Sequence, residues 1–359
     1  AANVAIAIKS QTHWGGTAST GGTATVTLTA KQVGLRGNDI RYQAQLKPTN
    51  IATTVTATAA TLLSGGTVSD DNADALAVIE PFRYYYIISA ANDSDQLDAL
   101  KAQVGTQALP LNGIRQRYVA GSSAASVSTV NSLATGLNDP RAAIVWQMSS
   151  DWTPSDLAAN LVAIVSLVEA GFSASTLNFD SFGSNANTSA LWRVKAPRSG
   201  LAPTKLQQVS ALNNGVTPIA ASATGASYLV KLITTYSLNG SAPDYRVRDW
   251  HKVSVCDRYT DDLLAQAAAM FRNKTVAPDP LQNEAPPVGA VTPAVLKSMI
   301  NRKTRDYFEA GLLVNVAQII SQTVVEYDQV NAPNRLSALV PLQPVNILDQ
   351  VAFSIQQVA

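Results

Sequence analysis

The chain has 359 residues, with 26 Lys and Arg against 25 Asp and Glu, a formal net charge of +1 and only 14% charged residues. That length predicts two or three domains with a sizeable core. The near-neutral balance argues against a dedicated nucleic-acid binder, which carries a basic excess, and against an acidic disordered tail. One cysteine, Cys256, and two histidines, His13 and His251, exclude an intramolecular disulfide and a Cys-rich zinc site and leave little for imidazole chemistry.

The chain opens Ala-Ala-Asn-Val-Ala-Ile-Ala-Ile, with neither a charged n-region nor an apolar run of signal length. It starts without Met in what reads as a strand, so residues upstream of Ala1 are expected. Residues 1–69 read as a β-rich segment. Thr23 to Thr29 alternates Thr with apolar residues, Gly15-Gly16 and Gly21-Gly22 mark turns, and residues 51–63 repeat the Thr/Ala/Val texture. Gly34 and Gly37 flank a turn into an Asn38-Asp39-Ile40 strand, and at least one of the two glycines is expected at positive φ.

From residue 70 to 243 helix and strand alternate. The pattern predicts a helix over 74–79, a strand over 84–90, and an amphipathic helix over 93–104 with Leu97, Leu100 and Val104 on one face. A strand over 115–120, a Ser/Ala-rich helix to Leu137 and a strand over 142–147 come next. Thr153, Pro154 and Asp156 start the next helix and Gly171 stops it. Its apolar stretch, Leu157 to Val168, is too short to span a bilayer and predicts a buried helix, so no stable membrane association is expected. The alternation implies an α/β core with a mixed, largely parallel sheet. Residues 172–240 read as loops with a few short strands. Residues 244–359 read as a C-terminal α+β domain: a long strand over 245–255, a helix over 260–271, a Pro-rich loop, and a helix from Thr292-Pro293 to Gly311. Strands are predicted over 323–327, 335–340 and 350–358.

Catalytic chemistry finds no foothold, and no catalytic, cofactor-binding or metal-ligating residue is assigned. His251 and Cys256 are close, but five positions along one strand put them on opposite faces. Gly121-Ser122-Ser123 lacks the spacing of a nucleophile elbow. Asp93, Asp95 and Asp98 lack the glycine and glutamate of a calcium loop and read as carboxylates at a helix N-terminus. A Gly-rich phosphate loop is absent. Arg246, Arg248 and Lys252, with Arg258 nearby, would share a strand face with Trp250. That face reads as solvated, or as a contact for an acidic patch on a neighbouring subunit, rather than as a nucleic-acid platform. In the last strand Val351, Phe353 and Ile355 point one way and Gln350, Ala352, Ser354 and Gln356 the other. Such a strand pairs within its own chain or by addition to another.

Three stretches resemble the contractile tail-sheath proteins of phages, in the Mu-like branch. Val26 to Ile40, read V-T-L-T-A-K-Q-V-G-L-R-G-N-D-I, is similar to a signature of that family, with Gly34, Gly37, Asn38 and Asp39 as its turn. Ser64 to Thr67, with the helix, strand and helix after it, resembles the entry into the sheath core. Asp244 to Leu264 with Arg335 to Val358 resembles the C-terminal domain. The family's N-terminal arm and outer segment have no counterpart before Ala1.

The resemblance implies a non-enzymatic subunit, without cofactor, of hexameric rings stacked helically around a tail tube. Its partners would be further copies of itself, the tail tube protein, the baseplate and the tail terminator. It would be assembled in the host cytoplasm and reside in the virion tail, contracting to drive the tube through the host envelope. It also implies strand donation. Gln350, Val351, Phe353, Ile355 and Val358 would form the arm, on a linker from Pro341 to Asp349. The acceptor edge would come from strands carrying Val247, Val253, Val255, Val324 and Val325. Two rivals remain: the sheath of a bacterial contractile device (an R-type bacteriocin or secretion system), and an α/β hydrolase.

Overall fold

The computed structural model describes residues 2–10, 16–21, 25–42, 61–90, 92–171, 177, 179, 182, 192, 194–197, 200–223, 225–281, 284–285 and 287–347. The chain folds as two compact units, one of Ala1–Ile164 with Ser181–Arg248, the other of Val165–Asp180 with Asp249–Ala359.

The first unit begins with helix α1 (Ala2–Lys9), where a strand is expected. Short apolar runs rich in Ala fit either period, and Lys9 in the last turn faces the negative end of the helix dipole. Strands β1 (Gly16–Gly21) and β2 (Thr25–Ala30) then form an antiparallel hairpin in register from Gly16↔Ala30 to Gly21↔Thr25. Gly16 and Gly21 therefore lie inside a strand rather than in turns. Residues 38–40 are no strand either: Leu35–Asp39 is a turn of 3-10 helix. Most of the Thr/Ala tract over 51–63 lies outside the described residues. Of the flanking strands, β3 (Arg41–Tyr42) pairs with β4 (Thr61–Leu62).

The core of this unit is a five-stranded sheet in the order β5 (Tyr86–Ile88), β6 (Arg117–Ser122), β7 (Ala142–Trp146), β8 (Val216–Ala221), β9 (Ser227–Leu229). The first four strands are parallel and β9 is antiparallel. This is the mixed, largely parallel sheet expected of the alternating pattern. Helices α2 (Ala73–Ile79), α3 (Ser94–Gln107), α4 (Val127–Leu137) and α5 (Pro154–Ala170) fall where predicted. One face of the sheet packs Tyr118, Ala120, Ile144 and Trp146 against Leu97, Leu100 and Val104 of α3 and Val130, Ala134 and Leu137 of α4. On the other face Gly121 meets the start of α5 so closely that a Cβ would lie 1.8 Å from the Pro154 carbonyl oxygen.

Strands β8 and β9 are short strands of the kind expected between residues 172 and 240, but α6 (Lys205–Asn213), started by a Thr204–Gln207 capping box, was hidden in that stretch. The small hairpin β10 (Leu238–Asn239) and β11 (Ala242–Pro243) comes after them.

The second unit contains α7 (Trp250–Phe271), β12 (Thr275–Val276) parallel to β13 (Ala290–Val291), α8 (Pro293–Glu309), α9 (Val316–Gln322), and the antiparallel pair β14 (Val324–Tyr327) and β15 (Leu336–Leu339). Helix α8 starts as expected, with the Thr292 hydroxyl accepting from the Val295 N–H and proline in the first turn, and it ends before Gly311 at φ +73°. The strand over 245–255 is not formed, since α7 begins at Trp250.

Candidate assembly interface

Helix α7 replaces the expected long strand because Trp250, Val253, Ser254 and Asp257 recur at helical spacing and all are buried. The side chain of Trp250 is fully buried. Its indole N–H donates to Glu169 Oε1 at 3.0 Å, and the Ser254 hydroxyl donates to the same oxygen. Burial pushes the Glu169 carboxyl up to about 7, against the two hydrogen bonds, and nearby Asp257 adds to the rise.

The basic aromatic strand face therefore does not exist. Arg246 forks onto the Asp244 carboxylate, with Nη2 at 2.6 Å, and holds that carboxyl well below the usual range. Arg248 lies over the Tyr245 ring at 4.5 Å. Lys252 reaches Asp249 at 3.5 Å, and Arg258 reaches Asp262 at 3.6 Å. Val247 sits in a turn, where its carbonyl accepts from the Thr234 hydroxyl at 3.1 Å. Val253 and Val255 are buried on a helix, whose N–H and C=O groups are already paired along its axis. None of these three can offer a β edge.

Val324 and Val325 do lie on a strand. β14 pairs with β15 in register from Val324↔Leu339 to Tyr327↔Leu336. A two-stranded sheet has two outer ladders, and among the described residues no third strand pairs with either. Val324 and Leu339 are exposed, the latter at 71%. The same unit is held by a dry cluster of Leu177, Val255, Tyr259, Tyr307, Leu312, Leu313 and Ile319. Tyr259 meets Tyr307 edge-on at 5.1 Å and shares a 2.8 Å hydrogen bond with Thr304, while the Tyr307 hydroxyl donates to Asp262 at 2.8 Å.

The expected linker is docked over its first half. Val314 N–H donates to the Gln343 carbonyl at 2.9 Å and Val345 N–H to the Leu312 carbonyl at 3.1 Å, so Leu313 and Pro344 face each other as a β-bridge. Val340 and Leu342 pack on the dry cluster. His251 Nε2 lies 2.9 Å from the Val345 carbonyl oxygen, a contact no sequence pattern announces. The linker is thus anchored as far as Val345. The arm residues Gln350, Val351, Phe353, Ile355 and Val358, and also His13, lie outside the described residues.

The turn signature is a built structure. Gly34 has φ +82°, and a Cβ there would lie 2.5 Å from the Val68 carbonyl oxygen. Gly37 is not at positive φ, but its Cβ would meet the Gln32 carbonyl oxygen at 2.6 Å. The Asn38 amide pairs both ways with the Gly66 backbone, at 2.9 Å each, and Leu35 N–H donates to the Val68 carbonyl. Arg36 reaches Asp70 at 3.5 Å. Asp39 has its carboxyl raised by burial, opposed by Arg36.

No protein-family model and no curated protein sequence matches the chain. Solved structures do. The sheath tail protein of Desulfitobacterium hafniense superposes at TM-score 0.51 with 16% identity, over 92% of this chain and 79% of that one. The sheath tail protein Lin1278 of Listeria innocua gives 0.53 with 13% identity, over 83% and 63%. The helical sheath of the anti-feeding prophage in its contracted state gives 0.50 with 11% identity, over 83% and 78%. The chain has the fold of contractile tail-sheath proteins.

Proposed function

We propose that the chain is a structural, non-enzymatic subunit of a contractile tail sheath. The observation that carries this reading is the fold shared with sheath proteins over most of the chain, one of them in a helical assembly. The outer ladders of β14 and β15, which no third strand pairs among the described residues, add to it, since they offer a neighbour's strand a place to pair. In this reading copies stack as hexameric rings around a tube protein, between a baseplate and a terminator, and contract. Assembly takes place in the host cytoplasm, and neither nucleic acid nor membrane is a stable partner. The functional division runs at residues 69/70 and 243/244, and the Mu-like branch remains part of the proposal. The arm over 350–358 adds to the β14–β15 edge of the next copy.

Electron microscopy of concentrated protein tests this directly. Striated tubes or rings are expected. A monomer whose esterase or peptidase activity is abolished by His251→Ala or Ser122→Ala would establish the hydrolase instead.

A further inference from the structure

Asn-Gly occurs three times in the chain, at Asn112-Gly113, Asn214-Gly215 and Asn239-Gly240. The pair carries a chemistry of its own. Glycine has no side chain to shield its backbone nitrogen, and that nitrogen can attack the side-chain amide of the asparagine before it. Folding decides which of the three pairs can react. The attack needs a glycine N–H free of a hydrogen bond and an asparagine amide free to turn.

The first two sites are closed. Gly113 N–H donates to the Leu109 carbonyl at 2.9 Å, and the Asn112 amide donates to the Thr106 carbonyl at 2.7 Å. Gly215 N–H donates to the Leu212 carbonyl at 3.4 Å, and the Asn214 amide donates to the Ser210 carbonyl at 2.8 Å. Gly215 is also buried, with the Thr235 carbonyl oxygen 2.5 Å from where a Cβ would stand.

The third site is open. Asn239 ends β10, and Gly240, at φ +63°, begins the two-residue turn into β11. Both are exposed. Among the described residues, nothing lies within 4 Å of where a Gly240 Cβ would stand, and neither the Gly240 N–H nor the Asn239 side chain has a hydrogen-bond partner. The hairpin holds only the pairs Leu238↔Pro243 and Asn239↔Ala242, so opening the last pair frees the Asn239 backbone to rotate for attack. Below the tip the stem is braced. The Asn138 side chain accepts from Ser237 N–H at 2.9 Å and Leu238 N–H at 3.1 Å, and it donates to the Leu238 carbonyl at 2.8 Å. Asp244 N–H donates to the Ser237 carbonyl at 2.8 Å. The tip can therefore open while the rest of the unit stays folded.

We propose that Asn239 is a site of spontaneous covalent modification, converted by attack of the Gly240 nitrogen into aspartate and isoaspartate. The nitrogen bonds to the Asn239 side-chain carbonyl carbon and closes a five-membered imide. The bond from that carbon to Nδ2 breaks, and Nδ2 leaves as ammonia, taking up the proton that the Gly240 nitrogen gives up. Water then opens the ring. Cleavage on the side-chain side gives aspartate. Cleavage on the backbone side gives isoaspartate, whose main chain is one carbon longer. Either product adds a carboxylate at the tip and takes the formal net charge from +1 to zero. The longer main chain also displaces the Asn239↔Ala242 pairing. The modification marks the age of a chain and does not rest on the sheath reading.

Peptide mapping of the full chain by mass spectrometry, after days at 37 °C and pH 9 or pH 6, tests the proposal. Aspartate and isoaspartate are both expected at 239, forming at least about fivefold faster than at 112 or 214. Conversion should be faster at pH 9, where the attacking nitrogen loses its proton more readily. An isoaspartyl methyltransferase should label the aged chain. Asn239→Gln, which would have to close a larger ring, should abolish both the product and that label. In guanidinium, which opens all three sites, the preference for 239 should vanish. No product at 239, faster conversion at 112 or 214, aspartate without isoaspartate, or a preference that persists in guanidinium would each overturn the proposal.

Discussion

Gly34 occupies a backbone region that costs other residues on the order of 1–3 kcal/mol, and a side chain there would also strike the Val68 carbonyl. Gly34→Val should lower the stability of the first unit by at least about 1 kcal/mol in urea unfolding. An unchanged midpoint would refute the positive-φ requirement. Glu169 makes a pH-dependent prediction. Its folded value near 7 stands above the unfolded value of 4.5, so the folded state binds the extra proton. Stability of the second unit should therefore fall as pH rises from about 4.5 to 7 and stay low above that. Glu169→Gln keeps an acceptor for Trp250 and Ser254 and removes the charge. It should flatten that slope and add about 1–3 kcal/mol at pH 8. Denaturant unfolding at pH 5 and pH 8 checks it, and a slope unaltered in the variant would refute it.

The elements legible in the chain were those with local punctuation. Thr153-Pro154 and Thr292-Pro293 each start a helix where predicted, and the stretches over 84–90, 115–120 and 142–147 each hold a strand, β5 to β7. The strand expected over 245–255 failed because Val247, Val253 and Val255 satisfy period two in a short window. Trp250, Ser254 and Asp257 satisfy the helical period over a longer one. Helix α6 was missed although Thr204 and Gln207 form a complete capping box, because the Ser, Asn and Gly around it obscured it. Contact between elements gives a further test. Gly121→Ala places a methyl 1.8 Å from the Pro154 carbonyl oxygen, so β6 and α5 must part. A loss of about 2–3 kcal/mol or more is expected in thermal or urea unfolding, far beyond the cost of Ala on an exposed strand. A variant as stable as the parent would show that the contact is loose.

Across the chain, the proposed assembly depends on the residues beyond Val345. The docked stretch through Val345 anchors the exit point at Leu312, Val314 and His251, so an arm reaching a neighbour would begin past it. An added strand of nine residues could form on the order of five to nine backbone bonds, each worth roughly 1 kcal/mol net. A chain truncated after Asp349 should fold, with an unchanged melting temperature, but fail to form long tubes under the electron microscope. Normal tubes from the truncated chain would remove the arm from the proposal.

Composition, helix caps and the alternation of helix and strand segments sufficed for the α/β core, because a cap or a buried parallel strand is specified by residues adjacent in the chain. The Gly34-to-Asp39 signature announced its turn for the same reason: positive φ is a property of one residue. The partners of that turn, Gly66 and Val68, lie about thirty residues away, and Glu169 is separated from Trp250 by 81. No local period encodes such pairings. Folding also made α7 a helix and seated His251 on Val345, because burial and hydrogen bonding across distant segments outweigh the weak preferences of a short window.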